Sequence, residues 1–356
     1  MDIGEATEGY ERWLRREIQV VGSELHDKHA RMRDDLYAFL RGTFYRWAQC
    51  FAEAVPEVAD APRLVAVGDL HADSFGTWRD SEGRLAWGVD DFDDSYPLPY
   101  TNDLVRLATS AKIARDAGLV DLRLRPACDA ILDGYESTLR AGGRPIVFAE
   151  SHEHLEKLGI DVIKPPRSFW QKLEERPAVR SVPTSARRAL RALAPRPLEH
   201  ARIVRREAGL GSLGQPRFTL IARHDGGAIA REVKALIPSA CVYAFGRRGR
   251  QQPYYARALR HAVRSHDPFQ RVVGRWILRR LSPDSNPIYL ETLEARDELR
   301  LVHAMGIEAA NVHLGSRTRI KAVLADLHRR PSDWLHAAAK TMAKFVEREW
   351  KDYRSL

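Results

Sequence analysis

The spacing of apolar residues changes along this 356-residue chain, and the changes limit the folds that it can adopt. Residues 8–55 repeat apolar positions every three or four residues, as amphipathic helices do. Residues 102–141 and the stretch 296–356 show the same spacing. Residues 200–294 contain instead several short runs rich in β-branched residues. The pattern predicts an α+β protein in which a β-rich module lies between helical regions.

Two strand candidates with acidic ends precede the β-rich module. They are PRLVAVGDL and GRLAWGVDDF, and the turn-like segment TWRDSEGR separates them. Within the module, Asp225, Gly226 and Gly227 lie between alternating apolar runs and predict a hairpin. A helical, arginine-rich segment and two more strand candidates follow, RVVGRWILRRL and PIYLETL. The prolines of residues 194–198 predict a linker ahead of the module.

The composition excludes disordered and membrane-spanning classes, because 44% of the residues are hydrophobic and no apolar run approaches the roughly 18–20 residues that span a bilayer. The first residues, MDIGEATEGYERW, carry acids where a signal peptide needs basic and then apolar residues. We therefore expect a cytoplasmic protein with no membrane contact. Three cysteines without a CxxC pair exclude a disulfide framework.

The net charge of +9 is unevenly distributed. Ten arginines but only one acid, Asp267, lie between Arg247 and Arg280. Such a cluster suits the phosphates of a nucleic acid or a nucleotide, and it equally suits a solvated surface.

Gly209, Gly211 and Gly214 form a GxGxxG motif, which two phosphate-binding folds use. A dinucleotide-binding fold needs a helix after the third glycine, whereas this chain continues as QPRFTLIA into the predicted hairpin. A glycine-rich loop between antiparallel strands, followed by a strand with a lysine, is the nucleotide clamp of protein kinases. The motif, with Ser212 inside it and Lys234 downstream, therefore predicts an ATP site. A glycine-rich turn beside a surface lysine is the alternative.

Six carboxylates lie near predicted strand ends in the segments GDLHADS and DDFDD: Asp69, Asp73, Asp90, Asp91, Asp93 and Asp94. So many acids repel one another unless a cation lies among them, and Mg²⁺ is the cation that suits oxygen ligands. Phosphoryl transfer needs one carboxylate to accept the proton of the attacking hydroxyl and another to hold the metal. We assign these roles to Asp69 and Asp91. Acidic turns exposed to solvent are the alternative.

Several stretches together resemble a bacterial family called domain of unknown function 2252. They are GDLHADSFGTWRDSEGRLAWGVDDFDD, NDLVRLATS, GLGSLGQPRF with AREVKALIPSA, RRLSPDSN and AMGIEAANVHLGS, so the resemblance extends over nearly the whole chain. It implies a fold similar to that of protein kinases and of aminoglycoside or choline phosphotransferases. In such enzymes a segment like GDLH supplies the catalytic acid, here Asp69, and a later strand end supplies the metal ligand, here Asp91. Asp103 resembles the acid that anchors the following helix.

The order of the motifs differs from that of kinases, because the glycine-rich loop and Lys234 follow Asp69 instead of preceding it. A circular permutation reconciles the two orders. We expect residues 200–294 to form the small β-rich lobe, and residues 1–193 and 296–356 to form the large helical lobe together.

Two departures from the family pattern make slow or lost activity an expected outcome. The resemblance calls for Asn five residues after Asp69 as a metal ligand, but this chain has Ser74, with Asp73 or Asp90 as substitutes. The acid that pairs with the lysine from a small-lobe helix is also missing, and Glu232 is a local replacement.

Two other functions stay open. GDLH also resembles the Asp-x-His of two-metal phosphoesterases, although the GNH[DE] segment of those enzymes is absent from the sequence. The stretch Arg247 to Arg280 could bind nucleic acid, and steep salt dependence would then be expected. The kinase-like hypothesis requires Lys234 within about 10 Å of Asp91, the reach of a nucleotide's phosphates with their metal. The acceptor, a small alcohol, a sugar or a protein hydroxyl, is not identified.

Overall fold

The computed structural model describes residues 1–148, 165–207, 209–247, 253–285 and 295–356. Most of them lie in helices. The helices are α1 (Ile3–Glu17), α2 (Gly22–Asp34), α3 (Leu36–Gly42), α4 (Phe44–Ala54), α5 (Pro56–Ala59), α6 (Tyr100–Asp116), α7 (Leu124–Ala141), α8 (Pro166–Glu174), α9 (Thr184–Leu193), α10 (Ala240–Ala244), α11 (Tyr255–His261), α12 (Ala295–His313), α13 (Ile320–Arg329) and α14 (Trp334–Arg354).

The strands form three small antiparallel sheets. They are β1 (Arg63–Ala66), β2 (Phe75–Arg79), β3 (Leu85–Val89), β4 (Tyr96–Pro99), β5 (Ile146–Val147), β6 (Glu199–Arg205), β7 (Arg217–His224), β8 (Gly227–Ala235), β9 (Arg271–Val273) and β10 (Trp276–Leu281). Strand β1 pairs with β4, the order β2-β3-β5 makes a second sheet, and the order β6-β7-β8-β10-β9 makes the third. The α+β class expected from the sequence is confirmed.

Helix α6 lies at the centre of a large helical body. It is buried on all sides because its sequence, YTNDLVRLATSAKIARD, places apolar or small residues around the whole helix. Helices α7 and α14 pack against it, and α12 packs along α7, so helices from both ends of the chain share one core. This central position lets α6 present polar side chains to the segments that follow β1 and β3.

The five-stranded sheet carries its own cores. Phe218, Leu220 and Val233 pack against Ala189 and Leu190 of α9, and Leu173 of α8 packs on the other face of the sheet. Residues 166–193 therefore pack on the sheet, although the sequence grouped them with the helical lobe. Helices α10 and α11, grouped with the β-rich lobe, instead contribute to the core of the helical body.

The sequence predicted a turn over the whole segment TWRDSEGR. The structure corrects this prediction, because residues 77–79 belong to a strand. Strand β2 pairs with β3, and the turn between them is confined to residues 80–84. Asp80 closes this turn by accepting hydrogen bonds from the amides of Glu82 (3.0 Å) and Arg84 (2.9 Å). Gly83, with a φ of 75°, takes the left-handed position. The two predicted strands with acidic ends belong to different sheets, since β1 pairs with β4 and β3 pairs with β2.

Most of the other sequence-based elements agree with the structure where it describes them, and RVVGRWILRRL is an exception. The helical stretches 8–55, 102–141 and 296–356 are confirmed, and so is the hairpin at Asp225, which joins β7 to β8. RVVGRWILRRL was expected to be one strand but forms two, because Gly274 turns the chain with a φ of 60°. PIYLETL lies outside the described residues. Among the described helices, none is both long and apolar enough to cross a membrane.

Candidate functional site

A cleft of about 730 Å³ lies between the helical body and the five-stranded sheet. Both chemical motifs of the sequence reach it. The charged side chains that line it are Lys28, Arg41, Asp69, Asp73, Asp90, Asp91, Asp93, Asp94, Lys172, Arg176, Arg206, Arg217, Asp267, Arg279 and Arg280. The acids lie mostly on the side of the helical body, and most of the arginines lie on the side of the sheet and of α8.

Asp103 of α6 fixes the backbone that presents Asp69. Its carboxylate accepts hydrogen bonds from the amides of Val67 (2.7 Å) and Gly68 (3.0 Å), directly after β1. His313 Nε2 lies 3.0 Å from the same carboxylate. Asp103 and His313 have no exposed surface, so the strand end is held by a buried polar network. Gly68 adopts a φ of 88°, which an L side chain resists, and this conformation turns the chain into the loop of Asp69.

Asp69 is paired with a fully buried arginine of the same central helix. Arg106 Nε donates to Asp69 Oδ1 over 2.5 Å, and Arg106 also donates to the carbonyl of Leu40 over 2.8 Å. Burial raises the pKa of Asp69 above its ordinary value, Arg106 opposes that rise, and the charge of Asp91 adds to it. A carboxylate of raised pKa is a better proton acceptor than an exposed one. The position that a Cβ would take at Gly211 is 3.9 Å from Asp69 Oδ2, so that oxygen faces the glycine-rich loop.

Ser74 holds the loop of Asp69 in place. Its hydroxyl donates to the carbonyl of Asp69 and accepts from the amide of His71, each over 3.0 Å. Both hydrogen-bonding functions of the hydroxyl are therefore used inside the loop, which disfavours the metal-ligand role expected for Ser74. His71 accepts from the amide of Asp73 through Nδ1, and burial together with Arg41 and Arg106 lowers the pKa of its imidazole.

Asp73 is also engaged by the helical body. Its carboxylate lies 2.8 Å from Arg41 Nη1. Burial raises the pKa of Asp73, and Arg41 opposes that rise. Its oxygens are thus less available to a metal than those of Asp91, whose side chain is 48% exposed in the cleft.

Lys234 of β8 crosses from the sheet to the acidic segment after β3. Its Nζ lies 4.0 Å from Asp91 Oδ2 and forms an ion pair with Asp93. The separation between Lys234 and Asp91 is well below the limit of about 10 Å that the kinase-like hypothesis requires. Lys234 itself is 1% exposed, so the carboxylates cover it.

The acids of this segment have opposite pKa shifts. Burial raises the pKa of Asp90 to about 6 and that of Asp94 to about 7, where the charge of Asp69 adds to it. Desolvation also acts on Asp91, but Lys234 and Arg279 lower the pKa of that carboxyl to about 2. Asp91 is therefore the ionised member, with its charge facing the cleft. Asp94 caps α10 by accepting from the amide of Ala240 over 2.7 Å.

The glycine-rich loop joins antiparallel strands β6 and β7, as the sequence predicted. It contains a single 3-10 turn at Leu210–Ser212. Gly209 and Gly214 have φ values of 70° and 88°, which explains the need for glycine there. The amide of Gly214 donates to Glu24 over 3.1 Å, and the amides of Ser212 and Gln215 donate within the loop. Gly214 therefore anchors the loop on α2, and only the part around residues 209–211 is left to cover a phosphate.

Glu232 does not pair with Lys234, contrary to the sequence-based expectation. It is fully buried and binds Arg206 Nε over 2.6 Å and Arg217 Nη1 over 2.7 Å. Arg279 Nε lies 3.5 Å from the same carboxylate. The register explains this arrangement, because Glu232 faces Thr219 on one neighbouring strand and Arg279 on the other. Despite burial, Arg206 and Arg217 lower the pKa of Glu232 far below its ordinary value.

No group of three or more His, Cys, Asp or Glu residues is arranged to hold a metal ion in the part of the chain that the structure describes. Mg²⁺ with a nucleotide does not need such a group, since it commonly takes one or two carboxylates and completes its octahedron with phosphate oxygens and water. Asp91, exposed and ionised beside raised-pKa acids, fits that limited requirement.

Several of the described arginines between residues 247 and 280 are engaged by other parts of the chain. Arg264 is partly buried, with its Cζ 4.3 Å from the Trp78 ring centroid, while Arg275 donates to the carbonyl of Glu17. Arg271 donates to the carbonyl of Ala192, and Arg279 pairs with Glu232. These four already contact groups in four different parts of the chain, which disfavours a continuous nucleic-acid interface built from them.

Sequence reasoning missed the residues that hold the acids in position. Arg106 lies three residues after Asp103, so helical spacing places both on one face of α6. This spacing could have predicted Arg106 from the sequence. The grouping of Arg206, Arg217 and Arg279 depends on strand register and had no local signal.

Residues 21–159 match the model of a family described as an uncharacterized protein conserved in bacteria (DUF2252). The match includes Asp69, Asp91 and Asp103 but ends before the glycine-rich loop and Lys234. It is thus narrower than the nearly whole-chain resemblance expected from the motifs. No curated protein and no solved structure matches the chain.

Proposed function

We propose that this chain is a Mg²⁺-ATP-dependent phosphotransferase with a circularly permuted, kinase-like arrangement, acting on a hydroxyl acceptor. The observation that carries the proposal is the meeting of two distant segments in one cleft, where Lys234 Nζ lies 4.0 Å from Asp91 Oδ2. A lysine beside an ionised aspartate is the pair that positions a nucleotide's phosphates in kinases.

The roles follow from the surroundings of each side chain. Asp69, with its raised pKa and with Oδ2 directed towards the glycine-rich loop, accepts the proton of the attacking hydroxyl. Arg106 holds that carboxylate in one orientation. Lys234 exchanges its contact with Asp93 for a phosphate oxygen, and the loop around Gly209 and Gly211 covers the phosphates.

Asp91 is the side chain that would hold Mg²⁺. The bound ion would neutralise phosphate charge as it develops during transfer. Because Asp91 is already ionised, ion binding there needs no deprotonation near neutral pH.

The arrangement of the two chain ends also supports the permuted, kinase-like fold. Helix α14 packs against α3, α4 and α6, while α12 packs along α7, so the large lobe draws on both ends of the chain. The glycine-rich loop, β7 and the lysine strand β8 follow one another in the order used by a kinase small lobe.

Isothermal titration with ATP, with and without Mg²⁺, tests the proposal. We expect wild-type binding to be at least about tenfold tighter with Mg²⁺. Asp91→Asn should remove that metal dependence, and Lys234→Met should weaken binding with or without the ion. Asp116→Asn and Lys340→Ala are matched exposed controls. Wild-type protein that shows no metal-dependent nucleotide binding would refute the proposal.

Asp69→Asn separates binding from transfer. This variant should bind Mg²⁺-ATP as wild type does, because Asp69 contacts the acceptor instead of the nucleotide in the proposed reaction. It should lose ATP consumption in a screen of pooled hydroxyl compounds that the wild type responds to. Equal consumption by Asp69→Asn and wild type would rule out the assigned base.

A further inference from the structure

Three arginines on the cleft side of the five-stranded sheet share one carboxylate. Arg206, Arg217 and Arg279 surround Glu232, whose side chain has no exposed surface. Arg206 directly follows β6, Arg217 begins β7 and Arg279 lies in β10, so three separate segments of the sheet bring them together. One carboxylate offers a single negative charge to these three guanidinium groups.

Arg206 and Arg279 keep part of their surface in the cleft. Each side chain is 23% exposed, and both line the cavity. Arg279 Nε makes no hydrogen bond within the described residues, although it is buried. A buried guanidinium N–H without an acceptor is costly unless a ligand or water supplies one. Lys172 of α8 and Arg176, which follows that helix, also line the cleft and add positive charge there.

Glu232 gives this group a fixed geometry. Two hydrogen bonds from Arg206, over 2.6 and 3.0 Å, and one from Arg217, over 2.7 Å, orient the guanidinium planes. A planar guanidinium held in this way can present paired N–H donors to an oxyanion, which is how arginine recognises phosphate. Prior orientation also reduces the entropy lost when the ligand binds.

We infer that Arg206 and Arg279, oriented on Glu232, form a binding site for a phosphate group that needs no metal ion. The phosphate would belong either to the inner part of the nucleotide or to a phosphorylated acceptor. Neither arginine contacts a reacting group in the proposed phosphotransfer, although Arg279 lowers the pKa of Asp91. Metal-free phosphate binding can therefore fail while metal-dependent nucleotide binding is retained, and the reverse.

Calorimetric titration with pyrophosphate in excess EDTA tests the inference. The wild type should bind pyrophosphate, and Arg206→Gln and Arg279→Gln should each weaken that binding at least tenfold. Arg223→Gln is the matched control, because Arg223 lies exposed at the far end of β7 and should leave binding unchanged. Absence of EDTA-insensitive binding, or equal binding by the wild type and both arginine variants, would overturn the inference.

A measurement on the wild type covers the case in which a variant fails to fold. Phenylglyoxal modifies accessible arginines, and peptide mass spectrometry locates the modified ones. Pyrophosphate should protect Arg206 and Arg279 at least threefold while Arg223 reacts at an unchanged rate. Equal modification of Arg206 and Arg279 with and without pyrophosphate would contradict the inference.

A second arm identifies the source of the phosphate. Pyrophosphate is titrated into protein saturated with Mg²⁺ and a non-hydrolysable ATP analogue. This experiment applies once the arginine variants have shown weakened pyrophosphate binding in EDTA. Retained pyrophosphate binding then supports a phosphorylated acceptor beside the nucleotide, whereas competition with the analogue supports the nucleotide's own phosphates.

Discussion

The two sides of the cleft use carboxylates in opposite ways. On the helical side, burial raises the pKa of Asp90 to about 6, although Arg279 opposes the rise. Burial raises the pKa of Asp94 to about 7, where the charge of Asp69 adds to the rise. On the sheet side, Glu232 is buried more completely, yet three arginines hold its pKa far below the ordinary value. Burial alone therefore does not decide the charge of a carboxyl group here, because its neighbours do.

The difference indicates what kind of ligand would suit the whole cleft. The helical side has more acids than nearby cations, and the sheet side has more guanidinium groups than carboxylates. A metal ion bound to phosphate carries both charges in one ligand. It would relieve repulsion among the acids and at the same time give the arginines an acceptor.

Removal of the sheet-side carboxylate should have the largest effect on stability. Glu232→Gln leaves the arginines around a neutral amide, and breaking a buried ion pair by removing one partner costs about 3–5 kcal/mol. Urea unfolding should show this loss, whereas Glu199→Gln, an exposed change on β6, should leave the free energy of unfolding nearly unchanged. A loss as small as that of the control would mean that the arginines do not depend on Glu232.

Removal of the Asp103 carboxylate, which anchors the strand end on the helical side, should cause the second-largest loss of stability. Asp103→Asn replaces a carboxylate that accepts from the amides of Val67 and Gly68 and contacts His313. We expect a loss of about 2–3 kcal/mol in the free energy of unfolding, since hydrogen bonds to charged groups are the strong ones. Asp116→Asn, at the exposed end of the same helix, is the control. Equal unfolding midpoints for the two variants would contradict the anchoring role.

The raised pKa of Asp94 should make stability depend on pH. The folded protein binds the proton more tightly than the unfolded chain, so this group's contribution is complete below about pH 4 and is lost as the pH rises towards 7. Asp94→Asn removes that loss and should raise stability at pH 8, relative to wild type, by on the order of 4 kcal/mol more than at pH 4. Unfolding curves at the two pH values measure the difference. Parallel pH profiles for the variant and the wild type would show that Asp94 is already ionised in the folded state at pH 4.

The smallest effect is expected at Ser74. Its hydroxyl makes two hydrogen bonds within the loop of Asp69, so Ser74→Ala should cost about 1 kcal/mol of stability. The Mg²⁺ dependence of nucleotide binding should stay as in wild type. Ser81→Ala, an exposed change in the β2–β3 turn, serves as the control. Loss of the metal dependence in Ser74→Ala alone would restore the metal-ligand role that the sequence suggested.

Local patterns predicted the parts of this fold that depend on neighbouring residues. The long helices follow from apolar spacing, and the hairpin at Asp225 follows from its turn residues, which have φ values of 48° at Asp225 and 77° at Gly226. The contact between Lys234 and the acids after β3 also met the distance limit, although it rested on motif recognition and not on local pattern.

What the sequence did not predict depends on contacts between distant segments. Helices α8 and α9 have the same amphipathic pattern as helices of the large body, and only the structure shows that they pack on the sheet. The partner of Glu232 was misassigned for a similar reason. A neighbour two residues away on one strand was chosen, whereas the actual partners come from adjacent strands and from Arg206.

The attachment of the glycine-rich loop to α2 affects how a ligand can enter. Val21 donates its amide to the carbonyl of Gly214 over 2.9 Å, Gly214 donates to Glu24, and Lys28 Nζ lies 3.4 Å from the carbonyl of Gly211. These contacts hold the loop against the N-terminal helical region at both Gly211 and Gly214. Any movement of the loop away from the cleft would have to break them. In the proposed phosphotransfer, a nucleotide would then enter from the side of the cleft that Lys172 and Arg176 line, without displacing the loop.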